Sequence, residues 1–220
     1  MKKVLITGGR SNLGSAIRKA FEREGCKVLY TVSSPDKADT DRAIVVDLTD
    51  EREVMEKLSS IRDLDVLVNN AGIFTEGRQE SLASSDFDKV MDVNVRGLFL
   101  VTKALLPALK KSNGAIVNIA SMNALHPGFG TSHYDASKGA VAAYTASLAA
   151  ETRLRVNAVA PGLIATPRLS GTDLEKHWKS HTVRQAMMDP DELARAVLFL
   201  AQSSGIYGQV LLVDNGYCLR

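Results

Sequence analysis

Short runs of β-branched and aliphatic residues alternate along this chain with longer segments whose apolar residues recur every three or four positions. The short runs predict buried strands, and the longer segments predict amphipathic helices. Strands are predicted over residues 4–6, 27–32, 43–46, 66–69, 115–120, 155–160 and 210–213. Strictly alternating strands and helices are typical of a parallel sheet with helical crossovers. The pattern therefore predicts an α/β fold with a doubly wound sheet of seven parallel strands.

Helices are predicted over residues 13–24, 51–61, 86–111, 134–152 and 190–202. The long third helix is expected to be interrupted near Asn94 and again by Pro107, which cannot donate a backbone hydrogen bond. Pro190 suits the first turn of the last helix. The connection over residues 33–42 has little room for a full helix. Glycine, proline and asparagine fall where strands end, which is where a doubly wound sheet places its ligand crevice.

Composition narrows the class of protein. With 220 residues, 45% of them apolar, the chain predicts a single domain over residues 1–220. A formal charge of +2 gives no reason to expect nucleic acid or a membrane surface as partner. No apolar run approaches the ~20 residues of a membrane span, and no secretory leader is evident. Cys26 and Cys218 lack metal-ligand spacing, which predicts free thiols, a cytoplasmic location and no metal site.

A glycine-rich turn joins the first strand to the first helix. It reads Thr7-Gly8-Gly9-Arg10-Ser11-Asn12-Leu13-Gly14. Glycines let the backbone approach a pyrophosphate, whose charge suits the amides at a helix N-terminus. Asn12 stands where such turns usually carry a third glycine; asparagine tolerates a positive φ, although its side chain could crowd the phosphates. The turn predicts a dinucleotide site.

Tyr134 and Lys138 are four residues apart within a predicted helix, so their side chains are expected to lie on one face. A tyrosine with its usual pKa of ~10 exchanges protons poorly at neutral pH. A cation about 4 Å away would favour the phenolate and lower that pKa. The pair therefore predicts a tyrosine able to exchange a proton with a carbonyl or alcohol oxygen. Two unrelated surface residues are the alternative interpretation.

Several motifs occur in one order: Thr7-Gly8…Gly14, Asp47-Leu48, Asn69-Asn70-Ala71-Gly72, Asn94, Ser121, Tyr134-x-x-x-Lys138 and Pro161-Gly162…Thr166. Together they resemble the short-chain dehydrogenase/reductase family. Asn94 lies 27 residues before Ser121, and Ser121 lies 13 before Tyr134, as that family would have it. The segment 155–162 looks most like bacterial 3-oxoacyl-carrier-protein reductases. The resemblance covers essentially the whole chain and implies a Rossmann-like fold.

The resemblance implies an oxidoreductase that transfers a hydride between a nicotinamide cofactor and a carbonyl or secondary alcohol. Tyr134 would be the general acid or base, and Lys138 would tune Tyr134 and hold the nicotinamide ribose. Ser121 would hydrogen-bond the reacting oxygen. Asn94 would open its helix locally and hold a water that links Lys138 to solvent. Alone, Ser121 could cap a loop and Asn94 could lie on a helix surface.

The resemblance also implies which residues contact the cofactor. Asp47 would contact the adenine amine, although it also suits the N-cap of the following helix. Asn69, Ala71 and Gly72 would border the adenosine half, and Ile164 and Thr166 would border the nicotinamide carboxamide. The predicted contacts are Thr7, Gly8, Arg10, Ser11, Asn12, Leu13, Gly14, Ser33, Asp47, Leu48, Asn70, Ala71, Gly72, Tyr134, Lys138, Pro161, Gly162, Ile164 and Thr166.

The stretch after the second strand predicts which cofactor is used. NAD enzymes typically place an acidic residue there to bind the ribose 2′-hydroxyl. Residues 31–34 contain no acidic residue, and the first one after the strand is Asp36. The small hydroxyl of Ser33 can receive a 2′-phosphate, and Arg10 could pair with it. We therefore expect NADP(H) to be preferred, with NAD(H) also possible. Arg10 sits one place before the usual basic position, so solvent is its alternative destination.

Residues 166–188 are expected to form a substrate lid. They carry Arg168, Lys176, His177, Lys179, His181 and Arg184 against Asp173 and Glu175. This mixture fits a solvated surface, or else an anionic substrate or an acyl-carrier partner. By analogy, helices 86–111 and 134–152 would pair between subunits, which predicts a homotetramer or else a dimer.

Two other functions stay open. A catalytically silent, cofactor-binding regulatory protein would also carry this fold; Asn12 favours it slightly, whereas Ser121, Tyr134 and Lys138 oppose it. A nucleotide-sugar epimerase or dehydratase is disfavoured because the segment after the sixth strand is short. The physiological substrate, among thioester, sugar, steroid, quinone and pteridine classes, is left undetermined.

Overall fold

The computed structural model describes residues 1–219 and contains one sheet of seven parallel strands. The strands are β1 (Lys3–Ile6), β2 (Lys27–Val32), β3 (Ala43–Val45), β4 (Val66–Asn69), β5 (Ala115–Ile119), β6 (Arg155–Pro161) and β7 (Val210–Val213). Their order across the sheet is β3-β2-β1-β4-β5-β6-β7. Strand order reverses between β1 and β4, so a crevice opens there at the carboxyl ends. The predicted α/β, Rossmann-like, doubly wound fold is confirmed.

Helices cover both faces of the sheet. They are α1 (Asn12–Arg23), α2 (Glu51–Leu58), α3 (Ser84–Met91), α4 (Gly97–Ser112), α5 (Ser132–Thr152), α6 (Asp173–His181) and α7 (Pro190–Gln202). One core lies between the sheet and helices α1 and α7, where Phe21 and Val197 are buried. A second lies under α2, α4 and α5 and contains Leu105 and Leu148. Because both faces are covered, the central strands are apolar on both sides.

Two predictions about the long third helix have different outcomes. The interruption near Asn94 is confirmed, because residues Asp92–Arg96 form a π-helical turn between α3 and α4. The predicted break at Pro107 is wrong, since α4 runs through this residue without interruption. Pro107 and Lys103, one turn earlier, are both exposed. The Lys103 carbonyl that loses its amide donor can therefore bond to water, and the helix continues.

A row of polar side chains is buried beneath the carboxyl ends of β4 and β5. The Asn69 amide donates to the Thr102 hydroxyl at 3.1 Å and to the Asn118 side-chain oxygen at 2.9 Å. Asn118 in turn donates to the Thr145 hydroxyl at 2.9 Å. All four residues are almost completely buried. This amide row therefore ties two strands to α4 and α5 by hydrogen bonds in the layer next to the crevice.

Candidate active site

The glycine-rich turn brings the backbone close to the crevice. Gly8 has a φ of +64°, in the left-handed region that glycine adopts without strain. A Cβ on Gly14 would lie 2.3 Å from the Gly8 carbonyl oxygen, so only glycine fits there. The Ser11 hydroxyl accepts a hydrogen bond from the Gly14 amide at 3.0 Å and caps α1. The N-terminus of α1 therefore faces the crevice, where an anionic group is stabilised.

Thr7 and Asn70 hold this turn against the end of β4. The buried Thr7 hydroxyl accepts from the amides of Asn70 and Ala71, both at 2.9 Å. The Asn70 side chain donates to the carbonyl oxygens of Thr7 at 2.8 Å and of Gly8 at 3.1 Å. Thr7 thus acts beneath the cleft, whereas Asn70 also lines it.

A cleft of about 500 Å³ opens beside the glycine turn, over the carboxyl ends of β1, β2 and β4. Nine of the predicted cofactor residues line it: Gly8, Arg10, Ser11, Ser33, Asp47, Leu48, Asn70, Ala71 and Gly72. The sequence interpretation missed Thr31, Val32, Lys37, Val46, Thr49, Ile73 and Val93, which also line it. Lys37 was detectable, because it is the only basic residue between Ser33 and Asp41.

Three predictions at the turn and at Asp47 need correction. Asn12 does not adopt a positive φ, because it is already the first residue of α1. The Leu13 side chain packs in the core between the sheet and α1, so only its backbone can face the crevice. Asp47 does not cap α2; its carboxylate accepts from the Thr49 amide at 2.9 Å, and Asp50 provides the cap.

Asn12 instead reaches across the crevice. Its side-chain amide donates to the Ala165 carbonyl oxygen at 2.7 Å. Ala165 lies between Ile164 and Thr166, which were predicted to border the nicotinamide. The residue that replaces the usual glycine therefore bridges the two walls of the crevice.

Lys138 lies deep in the site. It is 5% exposed, and its ammonium donates to the Ile119 carbonyl oxygen at 2.9 Å at the end of β5. Burial lowers the pKa of Lys138 to about 8 because the charged form loses its hydration. An ammonium has three donors, and the other two have no protein partner among residues 1–219. Two cationic donors are thus available to a ligand hydroxyl.

Tyr134 lies beside this amine, with its ring centroid 5.8 Å from the Lys138 nitrogen. The prediction of a lowered Tyr134 pKa is wrong for this structure. Burial raises the pKa of Tyr134, and the Ser121 hydroxyl offsets part of that rise. The Phe74 ring packs edge-on against Tyr134, with the two centroids 4.9 Å apart. Tyr134 therefore stays protonated at neutral pH.

Ser121 lies two residues after the end of β5 and is 7% exposed. Its hydroxyl accepts from the Asn123 amide at 3.1 Å, so it does cap the short turn over residues Met122–Ala124. The same hydroxyl is close enough to Tyr134 to influence its pKa. The capping and active-site interpretations of Ser121 are therefore compatible.

Asn94 is buried in the π-helical turn. Its side chain accepts from the Ile73 amide at 2.8 Å and donates to the Ile73 carbonyl at 3.0 Å and to the Ser137 hydroxyl at 3.0 Å. A Cβ on Gly72 would lie 3.1 Å from the Asn94 side-chain oxygen and 3.4 Å from the Lys138 nitrogen. Asn94 therefore fixes the loop after β4 against α5, and Gly72 leaves the amine open.

The segment after β6 forms the opposite wall. Pro161 is the last residue of β6, and Gly162 packs against Trp178 and Asp214, leaving little room for a larger residue. Neither Pro161 nor Gly162 lines the cleft beside the glycine turn, and Ile164 and Thr166 are half-buried beyond it. The amide of Ala165 donates to the Met188 carbonyl at 2.8 Å, and the Met188 amide donates to the Leu163 carbonyl at 2.8 Å.

The segment 166–187 therefore leaves and re-enters the fold at one place. It contains α6, which the sequence interpretation did not predict. Lys176 pairs with Asp173 at 2.9 Å, Lys179 with Glu175 at 2.8 Å, and Arg184 with Glu192. Arg168 is the segment's one lysine or arginine without such a partner among residues 1–219. Three of the four lysines and arginines in this segment are thus paired with carboxylates, which agrees with a solvated surface.

The residues present fit a nicotinamide dinucleotide. The open N-terminus of α1 suits a pyrophosphate, and the cleft holds small and apolar side chains for an adenosine. The unpaired donors of Lys138 suit ribose hydroxyls, and Tyr134 and Ser121 stand at the same end of the sheet. In the part of the chain that is described, no helix is long and apolar enough to cross a membrane. Within residues 1–219, no cluster of side chains could hold a metal ion.

Comparison with known proteins agrees with this geometry. Residues 8–218 match a family model described as enoyl-(acyl carrier protein) reductase. The chain is 36% identical to the 3-oxoacyl-acyl-carrier-protein reductase FabG of Thermotoga maritima, over 98% of this chain and 97% of that protein. It is 32% identical to an acetoacetyl-CoA reductase of an Acinetobacter species, over 98% and 97%.

Solved structures give the same result. The aldohexose dehydrogenase of Thermoplasma acidophilum is 33% identical, with a TM-score of 0.91 over 100% of this chain and 94% of its own. ElxO, solved with NADP bound, is 31% identical, with a TM-score of 0.89 over 100% and 99%. Sequence and backbone similarity thus extend through the whole crevice.

Proposed function

Because this chain belongs to the short-chain dehydrogenase/reductase family, we propose that its crevice binds NADP(H) and that Tyr134 exchanges the substrate proton. Family membership confirms that the protein is a nicotinamide-dependent oxidoreductase acting on carbonyl and CH–OH groups of a small molecule. The bound nicotinamide supplies or accepts the hydride; the protein binds, orients and moves the proton.

The observation that carries the proposal is the buried Lys138 ammonium next to a protonated Tyr134 phenol. Burial disfavours the charged phenolate, so Tyr134 keeps its proton until the proton is transferred to a carbonyl oxygen. When the phenol gives up that proton, the neighbouring ammonium stabilises the phenolate, because the surroundings are poorly hydrated. Ser121 hydrogen-bonds the reacting oxygen, and the two free donors of Lys138 hold the ribose hydroxyls.

Asn94 serves the same site through the π-helical turn. Both amide hydrogens of its side chain are used, by the Ile73 carbonyl and the Ser137 hydroxyl, and we place the linking water at the backbone opened by that turn. Ser137 also donates to the Tyr134 carbonyl at 2.7 Å. Asn94 thereby positions the start of α5, which carries both Tyr134 and Lys138.

Different parts of the dinucleotide contact different residues along the crevice. Gly8, Ser11, Asn12, Leu13 and Gly14 present backbone to the pyrophosphate, while Thr7 and Asn70 hold the turn in place. Ala71, Gly72, Asp47 and Leu48 border the adenosine, and Pro161, Gly162, Ile164 and Thr166 border the nicotinamide. Arg10, Ser33 and Lys37 all line the cleft, and they are the residues to which we assign a ribose 2′-phosphate. Lys37 donates to the Ser33 hydroxyl at 3.1 Å.

This arrangement supports a preference for NADP(H), with NAD(H) as a possible second cofactor. A phosphate can accept from Arg10, Ser33 and Lys37, whereas Asp47 is the one carboxylate that lines the cleft among residues 1–219. The bound cofactor in ElxO is NADP. Both observations agree with the preference expected from residues 31–34.

The first substrate class to test is a 3-oxoacyl thioester, such as a 3-oxoacyl-CoA or an acyl-carrier-linked chain. Relatives named as 3-oxoacyl-acyl-carrier-protein and acetoacetyl-CoA reductases support this choice. Exposed Phe74 and Leu125 near the catalytic residues suit an apolar acyl chain. The paired lid charges give no additional support for an anionic substrate.

The proposal also covers the lid, the assembly and the location of the protein. The joined ends at Ala165 and Met188 support a lid over residues 166–188 on a single domain, 1–220. The faces of α4 and α5 around Phe99 and Tyr144 enclose an apolar pocket, which supports a homotetramer or a dimer through these helices. Free Cys26 and Cys218 agree with a cytoplasmic location.

The test measures NADPH and NADH oxidation with acetoacetyl-CoA, cyclopentanone and an aldonolactone. Tyr134→Phe removes the proton donor and is expected to lower kcat by about 10²–10⁴-fold while NADPH binding by calorimetry persists. Tyr207→Phe, at an exposed tyrosine away from the crevice, is the matched control and should retain full activity.

Equal turnover by wild type and Tyr134→Phe would contradict the assigned role. Binding of NADPH by both proteins without turnover of any substrate would instead favour the regulatory alternative.

A further inference from the structure

Asp39 contacts Arg10, one of the residues that line the cleft, and belongs to the exposed connection between β2 and β3. Its carboxylate accepts a hydrogen bond from the Arg10 guanidinium at 2.5 Å and another from the Tyr30 hydroxyl. The Arg18 guanidinium lies 3.8 Å away. The guanidinium groups of Arg10, in the glycine-rich turn, and of Arg18, in α1, thus lie around the Asp39 carboxylate together with the Tyr30 phenol.

The side chains around Asp39 are held in place by packing on β2, α1 and the glycine-rich turn. Tyr30 is completely buried on β2, and the guanidinium of Arg18 stacks on its ring, with the carbon 3.8 Å from the ring centroid. A Cβ on Gly9 would lie 2.4 Å from the Tyr30 Cβ, so the phosphate turn rests on this ring. The Arg18 Nε is buried without a hydrogen-bond partner among residues 1–219. The side chains around Asp39 thus carry more hydrogen-bond donors than the Asp39 carboxylate accepts from.

Arg10 belongs to two sites at once. It lines the cofactor cleft together with Ser33 and Lys37, and it also bonds to Asp39. The hydrogen bonds from Tyr30 and Arg10 lower the pKa of Asp39 to about 2, so the carboxylate is ionised throughout the physiological range. A guanidinium held by a carboxylate is less available to a phosphate, because both anions use the same donors.

We propose that Asp39 is an internal competitor of the cofactor's ribose 2′-phosphate for Arg10, and so sets the selectivity between NADP(H) and NAD(H). The inference rests on the proposed dinucleotide function. NADPH must displace Asp39 or share Arg10 with it, whereas NADH makes no demand on that side chain. Asp39 thereby limits the preference that Arg10, Ser33 and Lys37 create.

The test compares dissociation constants for NADPH and NADH by calorimetry in wild type, Asp39→Asn and Asp41→Asn. Asp41 is on the same connection, is exposed, and makes no hydrogen bond or ion pair among the described residues, so its substitution controls for the lost charge alone. Asp39→Asn should bind NADPH about fivefold more tightly and leave NADH within about twofold. Asp41→Asn should change neither by more than about twofold. Adding Arg10→Leu to Asp39→Asn should abolish the gain.

Weaker binding of both cofactors to Asp39→Asn would overturn the proposal, because it would show that Asp39 only positions Arg10. An equal gain in Asp39→Asn and Asp41→Asn would overturn it in favour of general charge. If wild type bound neither dinucleotide, the proposed function itself would be wrong. If all the proteins bound both dinucleotides with the same selectivity ratio, only the role proposed for Asp39 would be wrong.

Discussion

The catalytic end of the crevice is formed by buried residues, whereas the adenosine end carries residues exposed to solvent. Asn94, Ser121 and Lys138 are between 1% and 7% exposed, and each is held by hydrogen bonds to backbone. Ser33 and Lys37 are exposed and lie on a connection with only one short helical turn. The residues proposed for the chemistry thus belong to the interior of the fold, whereas those proposed for cofactor discrimination are exposed to solvent.

Lys138→Met should produce the largest effect, because it removes the buried cation while keeping a side chain of similar size. We expect kcat/KM to fall by about 10³-fold, since neither the phenolate nor the ribose retains its partner. The same change should stabilise the fold at pH 7 by up to about 3 kcal/mol, because it relieves the cost of a buried charge whose pKa is lowered from 10.5 to about 8. Chemical denaturation and steady-state kinetics test both effects.

The sign of the stability effect depends on pH. Below about pH 8, both folded and unfolded wild type carry the proton, so the full cost is present. Between pH 8 and 10.5 the unfolded chain binds more protons, so wild-type stability rises with pH relative to the variant. A stability advantage of Lys138→Met that grew through this window would contradict the buried charge.

Lys37→Ala tests the adenosine end and should have a smaller, selective effect. We expect KM for NADPH to rise about five- to tenfold, while KM for NADH and both kcat values stay within about twofold. Lys110→Ala removes an equal charge from an exposed position on α4 and should change neither KM. A fall in kcat with Lys37→Ala would show that the two ends are not independent.

Asn12→Gly should have the smallest effect, because it removes the one hydrogen bond from Asn12 to Ala165 across the crevice. Release of NADPH, measured by stopped-flow fluorescence, should become about two- to fivefold faster, as expected for one neutral hydrogen bond. Asn113→Gly, at a left-handed helix end with φ 51°, is the matched control. Slower release from Asn12→Gly would mean that Asn12 obstructs the crevice rather than closing it.

The same contrast explains how far the sequence could predict the site. The parallel sheet and its strand ends follow from local apolar patterns, and the motifs at those ends locate Asn94, Ser121, Tyr134 and Lys138 at one crevice. Side-chain direction does not follow from spacing. The Lys138 amine donates to the Ile119 carbonyl oxygen, and burial of the Tyr134 phenol raises its pKa where a fall was expected. Asn12 likewise finds a partner 153 positions away, which no local pattern encodes.

Exposed contacts were harder still to predict. Lys37 and Asp39 lie on a connection whose course depends on Tyr30 and Arg18, two residues from other elements. Pro107 shows the converse, because a strong local rule failed where solvent could satisfy the freed carbonyl. Helix α6 was missed because its charged sequence contains few apolar residues, and Trp178 is its one buried residue.

The amide row of Asn69, Thr102, Asn118 and Thr145 has a consequence for how this protein can evolve. An apolar replacement at any one position would leave a neighbour without its partner in a place water does not reach, at a cost of about 1–3 kcal/mol. Single steps away from the present arrangement are therefore penalised, and change there requires paired substitutions. Surface loops around the same crevice carry no such restriction, so new substrates can be acquired at the rim while the foundation beneath it stays unaltered.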